Sequence, residues 1–182
     1  MPLDLTDRNT VFASLPKGGV GAEIGVGHGT FSQNIIRLAE PRLLYLVDCW
    51  EHLPVEVIGN DPANSDQESK DNQYHQVLVW FMVDPRVRVV KGFAEAVLPM
   101  FPDDYFDWLY LDANHLLCRQ DIMASWPKVK PGGWLMGHDY FMLGDFMTVK
   151  RDVDQFVQQH GLTLQVTIDA GNNYKSWMIR KP

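Results

Sequence analysis

The residues able to do chemistry fall in a few short stretches. Val20-Gly-Ala-Glu-Ile-Gly-Val-Gly-His-Gly-Thr-Phe31 joins an apolar strand to a glycine-rich turn and then to a helix. Gly25, Gly27 and Gly29 allow a tight turn and a close approach of backbone to a ligand, and the following helix offers free N–H groups at its N-terminus. Leu43-Leu-Tyr-Leu-Val-Asp48 ends a second strand on an acid. It stands roughly twenty residues past the glycine turn, where open α/β sheets hold a ribose diol. Phe106-Asp-Trp-Leu-Tyr-Leu-Asp-Ala-Asn-His115 delivers Asp112 and His115 at the end of an apolar strand, and Gly137-His-Asp-Tyr140 delivers His138 and Asp139 at the end of another. Burying acids and histidines for structure alone would cost desolvation without gain, so the two clusters are expected to meet in one site. The plainer alternative makes Asp112 and Asp139 helix caps and leaves the histidines on the surface.

These residues need a frame that brings strand ends together. Apolar runs over Val20–Ile24, Leu43–Val47, Val87–Lys91, Phe106–Leu111, Trp134–Gly137, Thr163–Ile168 and Ser176–Arg180 read as strands. Helix-length segments separate them: Leu5–Leu15, Thr30–Ala39, Ser65–Val83, Ala94–Met100, Cys118–Trp126 and Gly144–His160, with Ser65 and Glu68 at capping-box spacing. The alternation predicts an α/β class with a Rossmann-like, seven-stranded, mostly parallel sheet and helices on both faces. The turn-rich Asp169-Ala-Gly-Asn-Asn173 predicts a C-terminal hairpin that adds an antiparallel strand. Residues 1–182 are expected to form a single domain. The stretch 51–64, with two prolines, a glycine and several acids, is longer than an ordinary strand-to-helix connection and reads as a lid or as a surface loop.

A dinucleotide fingerprint requires a glycine at the sixth position of the loop, and counting from Gly25 that position is Thr30. The remaining acid-x-Gly-x-Gly-x-Gly pattern resembles motif I of class I S-adenosylmethionine (SAM)-dependent methyltransferases, in which an acid, here Glu23, faces the cationic methionine end. Asp-Cys-Trp50, Asn60-Asp-Pro-Ala-Asn64, Asp84-Pro-Arg-Val-Arg88, Leu111-Asp-Ala-Asn-His115, Trp126-Pro-Lys-Val-Lys-Pro-Gly-Gly133 and Gly137-His-Asp-Tyr140 together resemble methyltransferase family 24. The resemblance implies SAM contacts at Glu23, Gly25, Gly27, Gly29, Asp48, Phe93, Ala94 and Asp112, with Phe93 and Ala94 in a backbone or stacking role; Trp50 lies either against the adenine or, as aromatic residues beside strands more often do, in the core. More distant likeness to metal-dependent sugar O-methyltransferases and catechol O-methyltransferase implies Mg²⁺ on Asp112 and Asp139. His138 beside Asp139 is a poor ligand for a hard cation that prefers oxygen.

The sulfonium methyl is already activated, so the enzyme chiefly aligns the acceptor and removes its proton. His115 has a usable neutral-pH base, and Asp112 is expected to orient it or to bind the metal. O-methylation of a small hydroxylated metabolite or sugar follows. The alternatives are an NAD(P)- or nucleotide-binding Rossmann-type protein, a methyltransferase acting on nitrogen, and a non-catalytic partner subunit. A net charge of −7 leaves no broad basic face for nucleic acid. Cys49 and Cys118 lack CxxC spacing, the N-terminus lacks a signal peptide and no apolar run spans a bilayer. A soluble cytoplasmic protein without membrane partners is expected. Its Trp and Met content accommodates either a homodimer interface or an ordinary core.

Overall fold

A computed structural model of the chain describes residues 2–59, 61, 63–140, 148–168 and 174–182. The strands are β1 (Val20–Ile24), β2 (Leu43–Asp48), β3 (Val87–Lys91), β4 (Phe106–Leu111), β5 (Val129–Gly137), β6 (Leu164–Val166) and β7 (Trp177–Arg180). They form one seven-stranded sheet in the order β3-β2-β1-β4-β5-β7-β6. The first five run parallel, and β7 is antiparallel to both of its neighbours. The chain builds outward from β1 through β2 to β3, then returns to place β4 on the other side of β1. That reversal opens a crevice between the carboxyl ends of β1 and β4, where such sheets bind ligands.

The helices are α1 (Arg8–Ser14), α2 (Thr30–Ala39), α3 (Val55–Ile58), α4 (Gln67–Phe81), α5 (Ala94–Val97), α6 (Cys118–Ser125) and α7 (Thr148–His160). Two apolar layers cover the sheet. Val97, Ile122, Val153 and Phe156 bring α5, α6 and α7 into one cluster, and Phe12, Ile35, Val77 and Phe81 bring α1, α2 and α4 into the other. Central strands buried on both faces explain why β1 and β4 are apolar without alternation.

Several boundaries differ from the sequence expectation. The first helix begins only at Arg8 because Asp7 caps it, exchanging hydrogen bonds with Thr10. The expected Ser65–Glu68 capping box is absent: Asp66 is the N-cap of α4, and its carboxylate accepts from Ser69 N at 2.8 Å. A carboxylate one residue further on is the stronger acceptor for the helix's positive end. The fifth strand starts early, at Val129, because Phe106 pairs with Val129 and Trp108 with Trp134, so the Pro-Gly-Gly stretch between bulges from the ladder. The fourth and fifth helical segments each split, closing with one tight turn, Leu98–Met100 and Trp126–Lys128, that contains a proline. The expected start of the last helix at Gly144 and the turn Asp169–Asn173 lie outside the described residues.

Close packing across the sheet rests partly on Gly21, where a Cβ would stand 2.1 Å from the Trp108 ring. Trp108 is 2 % exposed and also meets Phe12 edge-on. Gly21→Ala is therefore expected to destabilise the protein by ~2–3 kcal/mol through overpacking, measured by urea unfolding. A change below ~0.5 kcal/mol would mean that Trp108 can move aside.

Candidate active site

The site begins where β1 turns into α2. Gly25 has φ +90°, and a Cβ there would lie 2.1 Å from the carbonyl oxygen of Asp112. Only glycine fits both conditions. The Gly25 N–H donates to Val47 O at 2.8 Å and the Asp112 N–H to Ile24 O at 2.8 Å, so the loop is stitched to β2 and β4 at once. Asp48 completes the support. Its Oδ2 accepts from Val26 N and Gly27 N at 2.8 and 2.9 Å, and its Oδ1 from Trp50 N at 2.8 Å. At Gly27 (φ +54°) an added Cβ would meet nothing within 4 Å, so the space above it is open.

That space is a cavity of about 300 Å³ over the carboxyl ends of the strands, large enough for a nucleoside-sized ligand. Gly25, Gly27, Asp48, Phe93, Ala94 and Asp112 line it. The 51–64 segment contributes Glu51, Leu53, Ile58 and Ala63 to its wall. Asn64 ties that segment to itself, receiving the Leu53 N–H and donating to Leu53 O.

Three candidate cofactor residues stand elsewhere. Trp50 is fully buried in the α1–α2–α4 layer, packs 4.9 Å from the Tyr74 ring and donates its indole N–H to Gly27 O at 2.9 Å. It braces the loop from behind because its backbone, at φ +44°, turns the side chain away from the cavity. Gly29 (φ +76°) caps α2, and its lack of a side chain admits Val77 and Phe81 to about van der Waals contact. Glu23 is 1 % exposed and takes a hydrogen bond from Ser32. Burial pushes its carboxyl up to about 8, with the Asp112 charge adding to the effect and Ser32 opposing it. At neutral pH Glu23 is a neutral acid inside the fold, not a carboxylate facing a cationic ligand.

The two clusters at the ends of β4 and β5 do meet. Asp139, at φ +56°, is a strained non-glycine position that aims its carboxylate inward. His115 Nε2 donates to Asp139 Oδ2 at 2.8 Å, and His138 Nδ1 lies 3.0 Å from Oδ1. Burial works against the Asp139 charge, but the bonds from His115 and His138 outweigh it and hold the carboxyl well below its usual range. Burial likewise opposes a charged His115, and Asp139, with Asp61 and Asp112 nearby, more than offsets it, so the imidazole is raised. The partner that orients His115 is thus Asp139, not Asp112 as expected. Asp112 instead faces Arg8 at 3.5 Å and His138 at 3.8 Å, and its own carboxyl is pushed up to about 6 by burial, with Asp139 adding to the effect.

Asp112, Ala113, Asn114 and Asp121 form a wall shared with a second, much smaller cavity of about 20 Å³ that His115, His138 and Asp139 also line. It holds roughly one water-sized group. Asp112, His138 and Asp139 each offer an atom within 4.8 Å of the others, a spacing that a single cation could bridge. Two carboxylates and one imidazole fit a borderline divalent ion such as Mn²⁺ better than the oxygen shell of Mg²⁺. Sequence reasoning missed Arg8, which lies 4.0 Å over the Phe31 ring, and Asp61, 3.8 Å from His115 Nδ1. Asp61 carried a signal, being inside the long insert; Arg8 carried none.

Comparisons with known proteins agree with this geometry. A family model described as a methyltransferase domain (family 24) matches residues 22–140, well over half of the chain. No curated protein sequence matches. Among solved structures, a SAM-dependent methyltransferase from Aquifex aeolicus is similar at 16 % identity over 99 % of this chain and 92 % of its own, with a TM-score of 0.67. The O-methyltransferase NovP is similar at 19 % identity over 95 % and 75 %, with a TM-score of 0.63. Spermidine synthase from Thermotoga maritima is similar at 14 % identity over 97 % and 58 %, with a TM-score of 0.65. At these identities the likeness is one of fold, and the fold alone does not select the transferred group.

Glu23 tests the electrostatics described above. Its folded value near 8 exceeds the ordinary 4.5, so its contribution is fully present below pH 4.5 and is lost as pH rises toward 8. Glu23→Gln keeps the shape and removes the titration. Thermal and urea unfolding are expected to show equal stability near pH 4.5 and a Gln variant more stable by up to ~5 kcal/mol near pH 9. Parallel pH curves for the two proteins would show that Glu23 is ionised in the fold.

Proposed function

The chain belongs to the methyltransferase-domain family and is a class I SAM-dependent methyltransferase, and from that premise we propose that it methylates a hydroxyl of a small metabolite or sugar, with His115 as the base. The observation that carries this reading is the shared wall: the nucleoside-sized cavity and the His115–Asp139 pair adjoin across Asp112–Asn114.

When bound, SAM supplies a methyl group already activated on a cationic sulfur. The residues of this chain do the rest. Gly25 and Gly27 admit the ligand close to the backbone, and Asp48 keeps acceptor capacity for a ribose hydroxyl beyond its three amide bonds. Asp139 fixes the His115 ring with the proton on Nε2, so the acceptor's proton is taken at Nδ1, the nitrogen turned toward Asp61. A carboxylate partner stabilises the imidazolium that forms, as its raised pKa requires. The 51–64 segment, in contact with Asn114 through Val57 O at 3.1 Å, acts as a lid that shields the site from water. Asp112, His138 and Asp139 would hold a divalent cation, which would supply Lewis-acid assistance by lowering the acceptor's pKa. A hydroxyl, which must lose its proton as it is methylated, makes fuller use of the His115–Asp139 pair than a neutral nitrogen does, which favours the hydroxyl reading.

Isothermal titration with S-adenosylhomocysteine is expected to give micromolar binding, weakened about tenfold or more in Asp48→Ala, since that change removes both a ribose acceptor and the loop's support. With an acceptor found by screening hydroxylated compounds against methyl-labelled SAM, His115→Ala should leave that binding intact and lower kcat by about 10²–10⁴. The wild-type rate should rise with pH through a value above 6.5, because the base must be neutral to act. An unchanged kcat in His115→Ala removes the base assignment. For the cation, calorimetry is expected to show Mn²⁺ binding more tightly than Mg²⁺ and His138→Ala abolishing the difference; equal affinities in the wild type would exclude His138 as a ligand.

A further inference from the structure

The buried acids among the described residues are Glu23, Asp121, Asp139 and Asp152. Three are answered inside the protein: Glu23 by Ser32, Asp139 by two histidines and Asp152 by Arg151 at 2.8 Å. Asp121, on α6, is 5 % exposed and has no donor or cation at hydrogen-bonding distance among the described residues. Such a group costs free energy in the empty protein and calls for an explanation. Its surroundings supply one, because Asp121 lines the large cavity.

Its position in that cavity narrows the ligand. Helix α6 packs on α5, and the charge that Asp121 feels is that of Glu95, in the first turn of α5. Asp121 also lines the small cavity beside His115 and His138, and within the large one its neighbour Glu95 places it toward the part walled by Gly92, Phe93 and Ala94, which follow β3. Asp48, at the end of β2, marks the ribose, and β3 is the next strand outward, so the base attached to that ribose extends toward this wall. Phe93 and Ala94 bring no polar side chain to read a base. We propose that Asp121 is the residue that recognises the cofactor's adenine, taking a hydrogen bond from the N6 amino group and donating its own O–H to N1. This rests on the SAM reading of the cavity and adds to it a specificity-determining residue from a helix otherwise devoted to packing.

The chemistry matches in both directions. Adenine presents a donor and an acceptor side by side on this edge, and a neutral carboxyl presents the complementary pair. Burial, with Glu95 adding its repulsion, pushes Asp121 up to about 7, so the neutral form is available near physiological pH. Purine, which lacks the N6 amino group but keeps the N1 acceptor, leaves the carbonyl oxygen of the carboxyl without its donor.

The test is calorimetric titration of the whole protein with S-adenosylhomocysteine and with its purine analogue, which lacks the N6 amino group. Wild type is expected to prefer the adenine compound by about tenfold or more, a preference worth ~1.4 kcal/mol for each factor of ten. Asp121→Asn keeps a donor and an acceptor and should retain that preference. Asp121→Leu should bring the two affinities within about threefold of each other while melting at or above the wild-type temperature, because it removes an unanswered buried acid. Equal binding of both compounds by wild type, a preference retained in the Leu variant, or a preference lost in a folded Asn variant would each overturn the role of Asp121 alone. Failure of wild type to bind S-adenosylhomocysteine at all would overturn the cofactor reading and this inference with it. Should the Leu variant not fold, the wild-type ratio and the Asn variant decide.

Discussion

Everything in the site depends on how closely the first loop approaches the end of β4. With no side chain at Gly25, the Asp112 carbonyl occupies the space a Cβ would need, and the backbones of β1, β2 and β4 are tied through Val47 O and Ile24 O. The contact sets the width of the crevice at the point where the strand order reverses. Asp48 then holds the loop from one side by three amide bonds, and Trp50 holds it from behind through Gly27 O. The same acid thus shapes the loop and lines the cavity, so the cavity floor is held by the chain's own hydrogen bonds.

The second constraint is charge in a poorly hydrated space. Glu23, Asp112 and Asp139 are ordinary carboxyl groups whose surroundings drive them apart. Glu23 has only a hydroxyl for company and stays neutral, Asp112 is raised to about 6, and Asp139, bonded to two imidazoles, is held ionised. Divergence of this kind separates structural from reactive roles among residues that look alike in sequence. It also explains why a histidine beside Asp139 is compatible with the site: the His138 ring lies 3.0 Å from Asp139 and 3.8 Å from Asp112, between the two carboxyl groups.

The wall contributed by α6 follows a different logic. There Asp121 stands without an internal partner, close to Glu95, in an arrangement that a stability argument alone would remove. Proteins retain such groups where a ligand completes them, and stability is given up at the place where binding recovers it. The long segment after β2 supplies part of the same cavity's wall and brings Asp61 to 3.8 Å from His115, so one insertion reaches both the large cavity and the His115–Asp139 pair.

The α/β class, the seven strands, the C-terminal antiparallel strand and the glycine loop were all legible in the amino-acid order, because they rest on local periodicity and on φ values that only glycine adopts readily. Asp48, Asp112, His115 and Asp139 were legible for a related reason: an acid or histidine ending an apolar strand of a parallel sheet must arrive at the same edge as its neighbours. What the tertiary structure alone decided is which way each side chain faces and whom it meets. Glu23 precedes the glycine loop and Trp50 follows Asp48 in sequence, and yet both point away from the cavity, because packing, not the spacing, assigns them to Ser32 and Tyr74. The pairing of His115 with Asp139, the approach of Arg8 and Asp61, and the isolation of Asp121 join residues from separate elements. No local pattern encodes such contacts, since they are settled only when the two apolar layers close on the sheet and fix the distances between strand ends.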